Sequence, residues 1–106
     1  MRAEPNGRVV SITDPQIRFA IANRRLIRFK YGTSTRTAEP HDYGVQNGIV
    51  RLLVFQRKVA PFLRGWRMLE VGKISELHVL DEMFAGSRRK EHTHHFEWDE
   101  LFARVG

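Results

Sequence analysis

The sequence contains no cysteine among its 106 residues. This absence excludes a disulfide framework, thiol catalysis and zinc sites with cysteine ligands, and it is typical of proteins in a reducing compartment. No apolar run approaches the roughly 18 residues that indicate a membrane span. The first residues, MRAEPNGRVVSI, also lack the apolar core of a signal peptide. We therefore expect a cytoplasmic protein that does not contact a membrane.

Motifs that are typical of enzymes are also missing. The sequence has neither a G-x-x-x-x-G-K phosphate loop nor a G-x-G-x-x-G dinucleotide motif. None of its serines follows the strand-to-helix elbow pattern of a catalytic nucleophile. The acids occur as the adjacent pairs Asp81-Glu82 and Asp99-Glu100, and adjacent side chains point in different directions on a strand or helix. We expect neither enzymatic activity nor a cofactor.

One histidine cluster, His92-Thr93-His94-His95, raises the question of a metal site. Alternate histidines on a strand share a face, and imidazole binds zinc or nickel. However, the cluster has no cysteine nearby and no acid at a typical ligand spacing. The alternative is a solvated loop, and we predict no metal site.

The charge balance favours cations. The chain has 18 Lys and Arg against 12 Asp and Glu, a formal net charge of +6 and a pI near 10.5. A protein of this kind attracts anionic partners such as nucleic acid, nucleotides or acidic proteins. The same charge also promotes solubility alone, so it does not identify a partner. The length is sufficient for one domain rather than two.

A helix is predicted to begin at Thr13-Asp14-Pro15. A side-chain oxygen there caps free N–H groups, and proline suits the first helical turn. Ile17, Ala20 and Ile21 follow at helical spacing and predict one narrow apolar stripe. Residues 1–13 show no clear period and are predicted to form a flexible N-terminal arm, with a short strand at residues 9–12.

The period then changes to two, which predicts strands. Ile27, Phe29 and Tyr31 alternate with cations over residues 26–31. A short strand at residues 35–39 is expected to end at Pro40, because proline cannot donate to a strand ladder. The dipeptide Asn47-Gly48 predicts a hairpin turn, since both residues tolerate positive φ.

Further strands are predicted at residues 66–71 and 74–80, after a loop at residues 57–65. Near the C-terminus, Trp98, Leu101, Phe102 and Val105 recur at helical spacing. This spacing predicts an amphipathic helix that docks on the rest of the chain. The fold class is therefore α+β, with an N-terminal helix, about five antiparallel strands in a barrel-like sheet, and a C-terminal helix.

Three arginines, Arg36, Arg51 and Arg67, stand within predicted strands. A cation between apolar neighbours must extend to solvent, pair with an acid or line a pocket. Pairing with Glu39 or Glu70 is the structural alternative. Because the guanidinium fork suits bidentate binding of phosphate or carboxylate, we hypothesise that the three side chains converge on one anion-binding groove.

The order of several segments carries a resemblance to a known family. These segments are Arg36 to Glu39-Pro40-His41, the stretch Trp66 to Glu70, the pair Lys73-Ile74, and Asp81 to Phe84, which closes the unit. In this order and spacing they resemble the WYL domain, a bacterial sensor module named for a Trp-Tyr-Leu triplet. The resemblance covers roughly residues 16–86.

The resemblance implies a small barrel of the Sm-like kind that acts as a ligand-sensing switch in transcription or phage-defence regulators. Family members recognise nucleic acid, in some cases single-stranded DNA, or nucleotide-type ligands through a basic groove. Matched position by position, Arg36, His41, Arg67 and Lys73 are expected to line that groove. His41 is expected to tune binding near neutral pH, where imidazole titrates.

Two features depart from the family pattern. Val50-Arg51-Leu52 aligns with the signature triplet, so Arg51 replaces the usual tyrosine. This change favours phosphate contact over base stacking. Only about fifteen residues precede the first helix, so we expect no helix-turn-helix and no direct reading of duplex DNA. A separate DNA-binding protein is then a possible partner.

We therefore expect a non-enzymatic ligand-sensing domain with a regulatory role over residues 14–86, followed by a basic loop and docking helix at residues 87–106. The expected ligand is a nucleotide or single-stranded nucleic acid, and the expected site residues are Arg36, His41, Arg51, Arg67 and Lys73. The alternative is a protein-interaction or homo-oligomerisation module. In that case the barrel edge or the C-terminal helix pairs with another chain, and the basic residues provide solubility and salt bridges.

Overall fold

The computed structural model describes residues 13–57, 64–88 and 97–106. Over these ranges the fold is α+β, with one helix and a mostly antiparallel sheet. The elements, in chain order, are α1 (Thr13–Ala22), β1 (Arg25–Tyr31), β2 (Ser34–Gln46), β3 (Ile49–Gln56), β4 (Gly65–Glu70), a 3₁₀ turn (Val71–Lys73), β5 (Ile74–Met83) and β6 (Glu100–Arg104). The predicted N-terminal strand at residues 9–12 and the histidine cluster lie outside the described residues.

Helix α1 begins where the sequence predicts, at Thr13. Its apolar stripe of Ile17, Ala20 and Ile21 is buried, as expected for a narrow hydrophobic face on a surface helix. Asp14 in the first turn complements the positive end of the helix dipole. The prediction for this helix is confirmed.

The main sheet has the strand order β4-β3-β2-β1-β5, and β6 pairs with β2 beside this path. Neighbouring strands are antiparallel. The two edge strands β4 and β5 are not paired with each other, so the sheet is not closed and the predicted barrel is not confirmed. One contact spans the gap, because the backbone N–H of Glu70 donates to the Tyr31 hydroxyl at 3.1 Å.

The hairpin between β2 and β3 turns at Asn47-Gly48, as predicted. Asn47 has φ 53° and Gly48 has φ 76°, the left-handed conformation that this dipeptide tolerates well. The turn sets the register in which Val45 pairs with Val50. Local sequence therefore determines this connection.

The predicted end of a strand at Pro40 is wrong. Strand β2 runs from Ser34 through Pro40 to Gln46 without interruption. Its register with β3 shifts between Pro40 and Asp42, the mark of a β-bulge. The proline thus stands at an irregular point of the ladder, where its missing N–H is tolerated, and the chain continues as one long strand.

The predicted C-terminal helix is also wrong, because residues 100–104 form strand β6. This strand pairs with residues 42–45 of β2, and the N–H of Val105 donates to the carbonyl of His41 at 2.8 Å. The helical spacing of Trp98, Leu101 and Phe102 is too short a pattern to outweigh the hydrogen bonds that an open stretch of β2 offers.

The core lies on one face of the sheet, which we call the core face. It includes Ile27, Phe29, Ala38, Leu52, Val54 and Leu69, each at most 2% exposed. Helix α1 contributes Ile17 and Ile21 to the same cluster. No helix in the described ranges has the length and apolar character to cross a membrane.

Candidate anion-binding site

The strand registers decide which of the predicted arginines share a face. Residues paired across a ladder point to the same side, and consecutive residues alternate. Val54 pairs with Arg67, and Arg51 pairs with Glu70. Since Arg51 and Val54 are separated by an odd number of positions in a regular strand, Arg51 and Arg67 project from opposite faces. The hypothesis that all three strand arginines converge is therefore wrong.

Arg36 lies on the core face at its polar rim. It pairs with Phe29, and its Cζ is 5.2 Å from the centroid of the Tyr31 ring, within the range of a cation–π contact. Its Nη1 donates to Gln56 Oε1 at 3.4 Å and its Nε to the Ser34 hydroxyl at 3.2 Å. The guanidinium is thus held in place beside an aromatic ring.

Arg67 approaches the same rim from β4. Its Nη1 donates to the Trp66 carbonyl at 2.8 Å, and a Cβ built on Gly65 would lie 3.1 Å from that nitrogen. Gly65 is the cross-strand partner of Gln56, the residue that Arg36 contacts. Arg36 and Arg67, two of the five predicted site residues, therefore both approach the cross-strand pair of Gln56 and Gly65.

Tyr31, Arg36, Gln56 and Arg67 lie along a diagonal across strands β1 to β4. Tyr31 pairs with Ser34, two residues before Arg36, and Gln56 pairs with Gly65, two residues before Arg67. Diagonal neighbours of this kind are within reach of long side chains. We call Tyr31, Arg36, Gln56 and Arg67 the basic row. It borders a buried apolar layer that consists of Phe29, Ala38, Val54 and Leu69.

Tyr31 and Gln56 were missed as site residues in the sequence. Each extends an alternating apolar pattern on the core face, Tyr31 after Ile27 and Phe29 and Gln56 after Val54. Gln56 is only 2% exposed although it is polar. A polar residue at the end of an apolar alternation could have indicated this position in the sequence. Only the register of the strands shows that it lies diagonal to the two arginines.

Arg51 and Lys73 are placed together on a different surface. Lys73 Nζ lies 3.2 Å from Glu70 Oε2, and Arg51 pairs with Glu70 across the ladder. Arg51 Nε also donates to the Gln46 carbonyl at 3.4 Å. A strand tolerates Arg51 here because its side chain projects from the face opposite the core and is only half-buried.

His41 is fully buried and faces neither solvent nor the basic row. Its Nδ1 lies 3.0 Å from the Glu39 carbonyl, and its Nε2 accepts the backbone N–H of Arg88 at 3.2 Å. These contacts suit a ring with its proton on Nδ1. Trp66 and Phe84 pack against the imidazole at ring-centroid distances of 4.7 and 5.6 Å. His41 therefore anchors the chain at Arg88 rather than lining a groove.

Glu39 is a second buried polar residue that the sequence identified only as a possible ion-pair partner. Its carboxylate is 1% exposed and lies 2.9 Å from Arg57 Nε and 2.7 Å from Arg88 Nε. Burial by itself raises the pKa of Glu39, but hydrogen bonds from Arg88 and Arg57 outweigh burial and hold the pKa below its ordinary value. The carboxylate therefore remains ionised and fixes both arginines.

A cavity of about 420 Å³ is lined by Thr13, Tyr43, Val50, Val71, Gly72 and Ile74. Near it, the Tyr43 hydroxyl donates to Asp14 Oδ1 at 2.6 Å. Burial and this hydrogen bond raise the pKa of Tyr43, while the same bond lowers the pKa of Asp14. The lining of this cavity includes no arginine, although Ile74 is the cross-strand partner of Tyr31 in the basic row.

Metal binding finds no support in the part of the chain that the structure describes, which contains no group of three or more potential ligands. Comparisons of the chain with protein-family models, with curated proteins and with solved structures gave no significant match.

Proposed function

We propose that this chain is a non-enzymatic, WYL-like ligand-sensing domain that binds a phosphate-bearing ligand, a nucleotide or nucleic acid, through the basic row. The observation that carries the proposal is the approach of Arg36 and Arg67 to one cross-strand pair, Gln56 and Gly65. Two guanidinium groups at the rim of an apolar layer form a suitable environment for a phosphate.

The surroundings of the two arginines strengthen the proposed site. Arg36 is half-buried against the Tyr31 ring, so part of its rotamer entropy is already lost before a ligand arrives. The neighbouring apolar layer lowers the local dielectric, which increases the attraction between a guanidinium and a phosphate. Tyr31 also offers a ring at the same rim, which suits contact with a base or sugar.

The proposed site differs from the set of residues expected at first. Arg51 and Lys73 lie around Glu70, on another surface, and His41 is buried. The proposal therefore retains Arg36 and Arg67, adds Tyr31 and Gln56, and assigns no direct ligand contact to the other three residues. A ligand held by the row would not contact the buried imidazole of His41.

An Sm-like arrangement of the sheet is part of this proposal. The strand order places β4 and β5 at opposite edges, yet only the 3₁₀ turn Val71–Lys73 separates them along the chain. The Tyr31 hydroxyl also contacts the Glu70 N–H across that gap. Strong curling of the sheet explains both observations, and it would bring the four members of the basic row together at one mouth.

The test is fluorescence anisotropy with a labelled mononucleotide, single-stranded DNA and single-stranded RNA, at about 50 and 200 mM salt, the range over which phosphate contacts change affinity strongly. Wild type is compared with Arg67→Ala and Arg51→Ala, and with Arg28→Ala, an exposed cation on the opposite face of β1. We expect Arg67→Ala to lose binding of the mononucleotide while the other two variants retain it. Unchanged mononucleotide binding by Arg67→Ala, or an equal loss in Arg28→Ala, would refute the proposal.

A protein-interaction module is the second candidate, and strand β6 favours it. This strand pairs with β2 along one edge, and within the described ranges no strand pairs with its other edge. Leu101 on β6 and Ile49 on the adjoining hairpin are each 38% exposed. An open edge of this kind accepts a strand from another chain. Sedimentation at several concentrations would then show self-association that Arg67→Ala leaves unchanged.

A further inference from the structure

A second group of arginines converges on the face opposite the core. Arg57 and Arg88 both donate to Glu39, at 2.9 and 2.7 Å from their Nε atoms. Arg88 and Arg64 both lie over the Phe55 ring, with Cζ atoms 4.1 and 5.2 Å from its centroid. Phe55 and Glu39 are themselves cross-strand partners. We call Arg57, Arg64 and Arg88 the arginine cluster.

The cluster is separate from the basic row. Phe55 and Gln56 are consecutive residues of β3, so their side chains point to opposite faces of the sheet. Gln56 belongs to the basic row, whereas Phe55 supports the arginine cluster. A ligand on one surface therefore does not reach the other without passing around an edge of the sheet.

The charge of the cluster exceeds that of its acids. Glu39 faces Arg57 and Arg88 together, and Arg57 also pairs with Glu82, whose Oε2 lies 3.7 Å from Arg57 Nη1 and whose side chain is 62% exposed. An exposed ion pair of that kind is weak. Among these described residues, three guanidinium groups therefore stand against two carboxylates, and their summed charge is positive.

Glu39 holds these cations in fixed positions. A carboxylate 1% exposed and bound to two guanidinium groups is costly to leave unpaired, so Arg57 and Arg88 are kept close together. Each guanidinium has five N–H donors; Arg57 uses Nε on Glu39, and its Nη1 faces Glu82. The second terminal nitrogen of Arg57 and the exposed side chain of Arg64 can contact phosphate oxygens.

The aromatic neighbours favour a single-stranded polymer over an acidic protein. Phe55 is 6% exposed, and its ring packs against the guanidinium groups of Arg64 and Arg88. Trp66, whose ring centroid lies 5.3 Å from that of Phe55, is only half-buried. A partly exposed indole beside several arginines matches the combination of base stacking and backbone contact that single strands use.

We propose that the arginine cluster, together with Trp66, binds the backbone of single-stranded nucleic acid without sequence preference. The phosphates would contact Arg57 and Arg64, and Trp66 would stack on a base. This surface goes beyond the proposed function of the basic row, because it is a different site and it holds a strand through several phosphates and a stacked base. Each of the two binding proposals can be refuted independently of the other.

The test uses labelled oligothymidylate of about 20 nucleotides, longer than the footprint of a small single-strand-binding domain. Wild type is compared with Arg64→Gln, Trp66→Phe and Arg57→Gln. Lys30→Gln is the matched control, because it removes the same charge from a surface ion pair with Glu76. Circular dichroism and urea unfolding establish whether each variant is folded. Since Arg57→Gln disturbs Glu39, Arg64→Gln decides the outcome if Arg57→Gln is unfolded.

We expect Arg64→Gln to weaken oligothymidylate binding about three- to tenfold and to reduce the slope of log affinity against log salt by about 0.7, the contribution of one phosphate contact on a single strand. Lys30→Gln should retain the wild-type affinity and slope. The inference is overturned if Arg64→Gln binds like wild type, or if Lys30→Gln is weakened equally. It is also overturned if Arg67→Ala abolishes oligothymidylate binding and Arg64→Gln does not, since the polymer would then occupy the basic row.

A labelled mononucleotide separates this result from the proposed function. Binding of the mononucleotide should be lost in Arg67→Ala and retained in Arg64→Gln. If the mononucleotide does not bind to wild type while oligothymidylate binds and depends on Arg64, the basic row fails and the arginine cluster stands. The reverse pattern overturns the arginine cluster alone.

Discussion

Arg36 and Arg67 stand on different strands, β2 and β4, yet their guanidinium groups reach the same cross-strand pair. Arg36 Nη1 contacts Gln56 Oε1 at 3.4 Å, and Arg67 Nη1 would lie 3.1 Å from a Cβ on Gly65. Arg51 is only three residues from Val54, the partner of Arg67, but it projects from the other face. A shift of one position along a strand thus separates the two surfaces.

Replacing Arg36 by lysine tests whether the basic row binds phosphate through the planar guanidinium fork. Lysine keeps the charge but loses bidentate geometry and most of the stacking on Tyr31. We expect Arg36→Lys to weaken nucleotide binding about tenfold, since a charge-assisted hydrogen bond contributes about 1.5 kcal/mol or more. Isothermal titration calorimetry measures the affinity, and Lys30→Arg serves as the charge-matched control. Wild-type affinity in Arg36→Lys would show that only charge matters at this position.

Glu39→Gln should destabilise the fold, because it removes the carboxylate that binds Arg57 and Arg88. The loss of one partner from a buried ion pair costs about 3 kcal/mol. Urea unfolding at neutral pH measures this loss. Glu76→Gln, which breaks the exposed pair with Lys30, is the control and should cost less than about 1 kcal/mol. Equal effects of the two substitutions would contradict a structural role for Glu39.

The contribution of Glu39 should depend on pH in a defined direction. Its pKa is lowered in the folded state from an ordinary value of 4.5, so the unfolded chain binds the proton more readily. The stabilisation is therefore fully present above the unfolded-state pKa and is lost as the pH falls through the lower, folded-state pKa. Wild type and Glu39→Gln, unfolded in urea at several pH values, should differ in stability at neutral pH and converge in acid. A constant difference would contradict the ion pair as its source.

Tyr43→Phe should remove the hydrogen bond from the tyrosine hydroxyl to Asp14, which measures 2.6 Å. A hydrogen bond to a charged acceptor contributes about 1.5 kcal/mol or more, so thermal and urea unfolding should detect the change. The hydrogen bond from Tyr43 is the largest cause of the lowered pKa of Asp14. The pKa of Asp14, followed by NMR, should therefore rise in Tyr43→Phe. In an Asp14→Asn background, Tyr43→Phe should reduce the stability of the protein much less. An undiminished loss of stability there would assign the effect of Tyr43→Phe to packing.

Gly44→Ala should disrupt the pairing of β6 with β2. A Cβ at this position would collide with the Glu100 carbonyl oxygen and lie 3.0 Å from Leu101 Cα. Amide hydrogen exchange should then accelerate at Ala103 and Val105, and the protein should lose stability. Gly72→Ala is the matched control, because a Cβ there meets no atom within 4 Å. Slow exchange in Gly44→Ala would contradict the close approach of the two strands.

The sequence by itself determined the elements that depend on local chemistry. The start of α1 follows from Thr13 and Pro15, and the β2–β3 turn follows from Asn47-Gly48, because caps and positive-φ residues act over only a few positions. The apolar alternation of β1 placed Ile27 and Phe29 in the core.

Tertiary structure decided the features that depend on residues distant in the chain. Residues 100–104 form a strand because β2 offers hydrogen bonds beside Gly44, which outweigh a short helical pattern. Pro40 remains inside β2 because a bulge accommodates it. The division of the arginines between the basic row, the surroundings of Glu70 and the arginine cluster depends on register. Register sets the face of every side chain, and it is fixed only when strands pair.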